Sequence, residues 1–215
     1  MSAKRNRGRP SIATETNQED LLKSALKAFA SNGFEGTNVK KLGQEAGIAP
    51  SLFYYHFKDK IGLWKAAVQQ EARTLEREMA LGNTENNSSD PIELLMKWMG
   101  GFIQFSAKHP EFHQVISYEM ANPSARADWL LEQVLKPLHT DFQNQITILQ
   151  DIGIIKKMPM AHFVSIVIGA ANIFFRQAYQ MEKLYGVNVF DQKVINQHTE
   201  TIIELLLKGI LIENK

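Results

Sequence analysis

Tyr54, Tyr55 and His56 stand side by side in the stretch GIAPSLFYYHFKDK (47–60), flanked by Phe53 and Phe57. Phenols and an imidazole can exchange hydrogen bonds with phosphate oxygens, and their rings can touch sugars or thymine methyl groups. The run fits neither common pattern of burial. A half-buried helix spaces its aromatic residues three or four apart, and a half-buried strand alternates them. The rest of the chain offers little reaction chemistry. Cysteine is absent, which removes disulfides, thiolate metal sites and a Cys nucleophile. There is no Gly-rich phosphate loop and no Glu-x-x-His pair of the kind that carboxylate-bridged metal bundles need. His109 and His113 have the spacing of a helical metal pair, but Pro110 opens a helix between them and leaves His109 outside it, with no third ligand evident. No catalytic residue, metal site or cofactor is expected.

The elements that must hold the aromatic run are helices. Leu21, Leu22, Ala25, Phe29 and Ala30 trace one helical face, with Gly33 past its end as a C-cap signal. Thr37 is expected to cap a short second helix whose inner face is Val39, Leu42 and Ala46, ended by Gly47. Pro50 opens a third helix through Phe57, and Asp59 caps a long fourth one carrying Ile61, Trp64, Val68, Ala72, Leu75 and Met79. The polar stretch GNTENNSSD (82–90) reads as a linker. Five more helices follow, over about 90–107, 110–120, 125–150 with a kink at Pro137, 157–183, and 191–212. The expected fold is all-α, with about nine helices and no strand. An N-terminal three-helix domain is joined by a long helix to a C-terminal helical bundle. The expected domains are a basic arm over 1–16, a helix-turn-helix over 17–63 and a helical body over 64–215.

The chain has 215 residues, 44% of them hydrophobic, which suits a folded core. Its net charge of +1 conceals an asymmetry: residues 1–60 hold ten Lys/Arg against six Asp/Glu, and residues 61–215 hold fourteen against seventeen. A basic front end on a mildly acidic body suggests a module that meets a polyanion. The leader is basic but lacks the apolar core of a secretory signal, and the longest apolar stretch, 163–175, is too short and too interrupted to span a bilayer. A cytoplasmic protein that does not enter a membrane is expected.

Two helices of about two turns, joined by a Gly-containing turn, match the helix-turn-helix, whose second helix enters the major groove. Helices this short persist only when packed on neighbours. Phe53 and Phe57 are four apart and can anchor the third helix, leaving Pro50, Ser51, Leu52 and Tyr55 on the outer face. Tyr54 can either pack on the core or reach outward. The run breaks amphipathic period because both faces are used.

At this point the chain resembles the tetracycline-repressor (TetR) family of transcription regulators. The resemblance is carried by Ala28-Phe29, Gly33, Thr37-Asn38-Val39, Leu42-Gly43, Ala46-Gly47-Ile48-Ala49, Phe53 to Phe57, Lys60 and Leu63. Asn38, Gly43 and Ala49 depart from the family's usual Thr, Ala and Ser. The resemblance implies phosphate contacts by Thr37, Lys60, Tyr54 and His56, and base reading by Pro50, Ser51, Leu52 and Tyr55. Arg7-Gly8-Arg9-Pro10 resembles the core of an AT-hook, so Arg7 and Arg9 are expected in a minor groove or on phosphates. The resemblance also implies a homodimer through the apolar helices near 161–181 and 191–212.

In the body, polar side chains are scattered among aromatic ones, which describes either a ligand pocket or a large core. Trp98, Phe102, Tyr118, Glu119, Trp129, Asn172 and Arg176 are the expected effector-binding residues. The alternative for Glu119 is an internal pair with Arg126 or Arg176. The resulting expectation is a ligand-responsive repressor that binds a palindromic double-stranded DNA operator as a dimer and answers to a small-molecule effector. The alternatives are a DNA-binding factor of the same fold without an effector, or an all-α binding or enzymatic bundle.

Overall fold

The structure, a computed structural model, describes residues 12–84 and 90–212. Among these the chain is helical throughout, and the nearest approach to a strand is a single antiparallel bridge between Ile155 and Leu211. Contacts divide it into two units, residues 1–70 and 71–215.

The first unit holds α1 (Ile12–Gly36), α2 (Val39–Glu45), α3 (Pro50–Phe57) and the beginning of α4 (Lys60–Thr84). Helical backbone starts at Ile12, within the stretch read as an arm through residue 16. Arg7 and Arg9 lie outside the described residues. The period of α1 buries Leu21, Leu22, Ala25, Leu26 and Phe29. Gly33 breaks it with φ 68° and ψ 174°, a conformation that glycine adopts at little cost. The broken end is closed by Thr37, whose Oγ1 donates to Gly33 O at 2.8 Å. The expectation that Thr37 caps α2 is corrected here. Asn38 is the cap, its Oδ1 accepting from Lys41 N at 3.1 Å, so the departure from the family's Thr supplies the capping group.

The α3–α4 junction is tight. Lys58 has φ 64° and ψ −55°, and Asp59 N donates to Phe57 O at 2.7 Å. That is a γ-turn of the rare, strained hand. Asp59 then caps α4, its Oδ1 accepting from Gly62 N at 2.7 Å. The turn brings the Phe57 carbonyl onto α4 so closely that a Cβ built on Gly62 would lie 1.8 Å from its oxygen.

The second unit holds the rest of α4 and α5 (Pro91–Lys108), α6 (Pro110–Ala121), α7 (Ala125–Leu130), a π-helical segment Leu131–Leu135, α8 (Lys136–Asp151), α9 (Met160–Arg176), α10 (Ala178–Tyr185) and α11 (Gln192–Ile210). Asp90 caps α5, accepting from Ile92 N at 2.9 Å, with Pro91 in the first turn. Helix α5 packs on α6, α9 and α11. The core cluster takes Leu95 and Met99 from α5, Phe142, Ile146 and Leu149 from α8, Phe163, Val164 and Val167 from α9, and Ile210 from α11. The end of α11 is pinned by Lys156 N donating to Ile210 O at 2.7 Å and Ile212 N donating to Ile154 O at 3.2 Å.

Two of the expected helices are divided. The segment 125–150 holds Pro137 in the first turn of α8. It widens into the π segment just before it, where Lys136 N donates to Leu131 O, five residues back. Proline has no N–H and its ring crowds the carbonyl four residues earlier, and a π turn absorbs that misfit while the helix continues. The segment 157–183 breaks at Gln177 into α9 and α10, which meet at 68°. The core-facing stripe of α9 ends at Phe175, and α10 buries none of its side chains. Among the described residues no single helix is long and apolar enough to cross a membrane.

Because the atom facing Gly62 is backbone, Gly62→Ala can be accommodated only by opening the α3–α4 junction. It should lower unfolding free energy by about 1–3 kcal/mol, seen as a reduced urea midpoint. An unchanged midpoint would contradict the close approach.

Candidate nucleic-acid interface and internal cavity

Helix α3 is divided as its spacing requires. Phe53 and Phe57 are buried, at 7% and 4% exposure, with ring centroids 5.4 Å apart. Tyr54 and Tyr55 are exposed at 64% and 80%, and Pro50, Ser51 and His56 are exposed with Leu52 half-buried. Tyr54 leans edge-on against Phe53 at 5.6 Å, and Tyr55 stands edge-on to His56 at 5.2 Å. The packing of Tyr54 is thus one-sided, with its ring supported by the core and most of its surface open. Ala49 provides no side-chain cap to α3, and Pro50 occupies the first turn. The positive end of the helix dipole is therefore uncapped by any side chain, where an anion is stabilised.

Lysines surround this helix. Lys40 and Lys58 are exposed, and Lys41 pairs with Glu45 at 3.6 Å. Lys60 Nζ donates to Glu35 O at 3.0 Å and lies 4.8 Å from the Phe34 ring centroid. Thr37 is placed differently from expectation. It is 4% exposed with its hydroxyl committed to Gly33 O, so the side chain serves the fold and is withdrawn from the phosphate-contacting set. At Gly43 a Cβ would meet Phe53 at an ordinary 3.7 Å, so the family's usual Ala would fit the same packing.

A cavity of about 450 Å³ opens within the second unit, in the size range of small-molecule sites. Leu75, Glu76 and Met79 line it from α4, Trp98 and Phe102 from α5, and Phe112, His113 and Ile116 from α6. Leu135 lines it from the π segment, Pro137, Leu138, His139, Phe142 and Gln145 from α8, and Val164, Val167 and Ile168 from α9. Trp98 stacks on Phe142 with centroids 3.9 Å apart and on Phe102 at 5.5 Å, both within 10° of parallel.

Of the seven residues expected to bind an effector, Trp98 and Phe102 line this cavity. Tyr118 does not, being 55% exposed on α6. Glu119 is buried and ion-paired with Arg126, whose Nε donates to Oε1 at 3.1 Å. Arg176 is exposed, its Nη1 donating to Ser117 Oγ at 3.0 Å. Trp129 is half-buried and Asn172 buried, both outside the lining. Glu119 and Arg176 thus carry polar groups bonded to neighbours outside the cavity lining.

His113 is 5% exposed and forms part of the cavity wall. Ser106 Oγ donates to Phe102 O at 2.8 Å, so the 3.0 Å contact between Ser106 Oγ and His113 Nε2 takes its proton from the ring. Burial, with smaller contributions from Arg176 and His109, lowers the His113 pKa from 6.5 to about 4. His109 points elsewhere. Its Nδ1 lies 2.7 Å from Oε2 of the buried Glu71, and its ring stacks on Phe105 at 4.4 Å. Helices α9 and α11 pack together, and they leave Ile166, Ile173 and Leu205 exposed at 54%, 44% and 63%.

Comparisons with known proteins agree in both halves. The family model "Bacterial regulatory proteins, tetR family" matches residues 21–67, and "YcdC-like protein, C-terminal region" matches residues 73–213. The HTH-type transcriptional regulator RutR of Escherichia coli (strain K12) is 22% identical over 213 residues, covering 98% of each chain. The HTH-type transcriptional repressor AcnR of Corynebacterium diphtheriae is 24% identical over 123 residues, 54% of this chain and 57% of its own. A TetR family transcription regulator from Marinobacter aquaeolei shares the fold with a TM-score of 0.69 at 15% identity, covering 93% of this chain and 98% of that one. A candidate fatty acid metabolism regulator from Clostridium perfringens does so at 0.71 and 18%, covering 90% and 99%.

The His113 environment sets a pH dependence. Its folded pKa lies below its unfolded one, so the unfolded chain binds the extra proton between pH 6.5 and about 4. Stability is complete above pH 6.5 and is lost as pH falls through that window, by up to about 3 kcal/mol. Burial also lowers His139 and His198, which adds to the slope in the same direction. Urea unfolding at pH 7 and pH 4.5 should show His113→Gln losing less stability on acidification than the wild type. Equal losses would contradict the buried neutral ring.

Proposed function

The chain belongs to the tetR family of bacterial regulatory proteins and is a DNA-binding transcriptional regulator; from that premise we propose that it is an effector-responsive repressor that binds a two-fold operator as a homodimer. The observation that carries the DNA reading is the outward half of α3. Ser51, Tyr54, Tyr55 and His56 are exposed along a helix that two buried phenylalanines hold in place. In this reading Pro50, Ser51, Leu52 and Tyr55 meet base edges. Tyr54, His56 and Lys60 meet phosphates, and Arg7 and Arg9 add contacts that depend on salt more than on sequence. The protein acts in the cytoplasm and catalyses no reaction.

The apolar side chains that α9 and α11 leave exposed support self-association, since a patch of that kind on a monomer favours a partner. A two-fold dimer presents two copies of α3, so its operator is a pseudo-palindrome read on one face of the duplex. The cavity supports an effector. Helix α4 contributes Leu75, Glu76 and Met79 to its lining and is continuous from Lys60 to Thr84. An effector that favours a different placement of α4 would change the spacing of the two copies of α3. Coupling of this kind is typically about 1–3 kcal/mol, roughly a 5–150-fold change in operator affinity.

Recovery of genomic fragments bound by the purified protein, followed by footprinting, tests the reading. It should return one enriched motif with two inverted half-sites about one helical turn apart. Protection of a single half-site, or no enriched motif, would contradict it.

A further inference from the structure

The charges around the cavity limit what it can admit. Among the described residues, Glu76 is the one carboxylate in the lining, and no lysine or arginine lines it. Its two histidines, His113 and His139, are disfavoured in their charged form by burial. With a pKa of about 4, His113 is protonated in roughly one molecule in a thousand at pH 7. Arg176 acts on His113 through its charge, yet it lies outside the lining, is exposed to water, and donates to Ser117 Oγ at 3.0 Å. An anion entering the cavity would leave water without gaining a charged partner, which is costly. A cation would find Glu76. Trp98, Phe102 and Phe142 line the cavity with aromatic surface, against which an aromatic ring can pack.

We propose that the effector is an aromatic compound carrying a cationic amine, its ring packed among Trp98, Phe102 and Phe142 and its charge toward Glu76, and that carboxylate and phosphate compounds are excluded. The proposal rests on the reading that this cavity receives an effector. Glu76 belongs to α4, so an amine that pairs with it acts on the helix assigned the switch.

Three probes of one ring system test it: 2-naphthylmethylammonium, 2-naphthylmethanol and 2-naphthoate, titrated into the full chain by calorimetry at pH 7. The ammonium compound should bind roughly tenfold tighter than the alcohol, and the carboxylate should show no measurable binding. Glu76→Gln alters an exposed side chain and is expected to fold. It should bring the ammonium compound to the affinity of the alcohol while leaving the alcohol unchanged. Naphthoate binding as tightly as the ammonium compound, or an ammonium preference that survives Glu76→Gln, overturns the proposal. If the alcohol binds and the ammonium compound binds no better, the charge assignment falls while the effector reading stands. If none of the three binds, both fall.

Discussion

The anchoring of α3 by Phe53 and Phe57 is the contact on which the DNA-facing half depends. A helix of eight residues does not hold together in water by itself. Burying one phenylalanine side chain contributes about 1.5–3 kcal/mol, and two of them four apart fix both the position and the rotation of the helix. Once that rotation is set, Tyr55 and His56 have no core to join and must face outward. The γ-turn at Lys58 and the absent Cβ at Gly62 let α4 begin immediately after α3, so the frame that aims the helix is assembled locally. The strained Lys58 backbone costs on the order of 1–3 kcal/mol, which the buried rings on either side of the junction must offset.

In the second unit the governing constraint is a polar group in an apolar wall. His113 stays neutral because burial disfavours its charged form, and its ring N–H is satisfied by Ser106, itself bonded to Phe102 O. This chain of hydrogen bonds ties α6 to α5 beside the cavity. His109 ties the start of α6 to Glu71 of α4. The three helices along that side of the cavity are thus linked by specific polar contacts as well as by packing.

Much of this was legible in the sequence where local rules govern. The spacing of Phe53 and Phe57, the cap at Asp59 and the helix-ending glycine Gly33 are short-range features, and the structure places them as read. Asn38 was misread as a mere departure from a family pattern, although its side chain is as good a cap as the Thr beside it. Gly62 was invisible, because no sequence signal announces that a carbonyl from the preceding turn will press on it. The cavity was legible in Trp98 and Phe102 and little further. Glu119 and Arg176 carried the residue types of a binding site, but their partners come from elements that only tertiary packing brings together. The face that does line the cavity has a recoverable signal: Leu75 and Met79 are four apart on α4, and Leu138, Phe142 and Gln145 follow helical spacing along α8. What that spacing cannot say is whether the opposing side chains fill the space or leave it open.

The central claim is the division of α3 into an anchoring half and a reading half. Competition between an operator and its single-base variants, measured for wild type and Tyr55→Ala, tests it most directly, with thermal unfolding of both proteins as the control. An exposed side chain contributes little to the fold, so unfolding free energies should agree within about 0.5 kcal/mol. Loss of a base contact should erase about 1–3 kcal/mol of discrimination at one position in each half-site. Unchanged discrimination at every position, or destabilisation of the size expected for removing a buried aromatic side chain, would contradict the account.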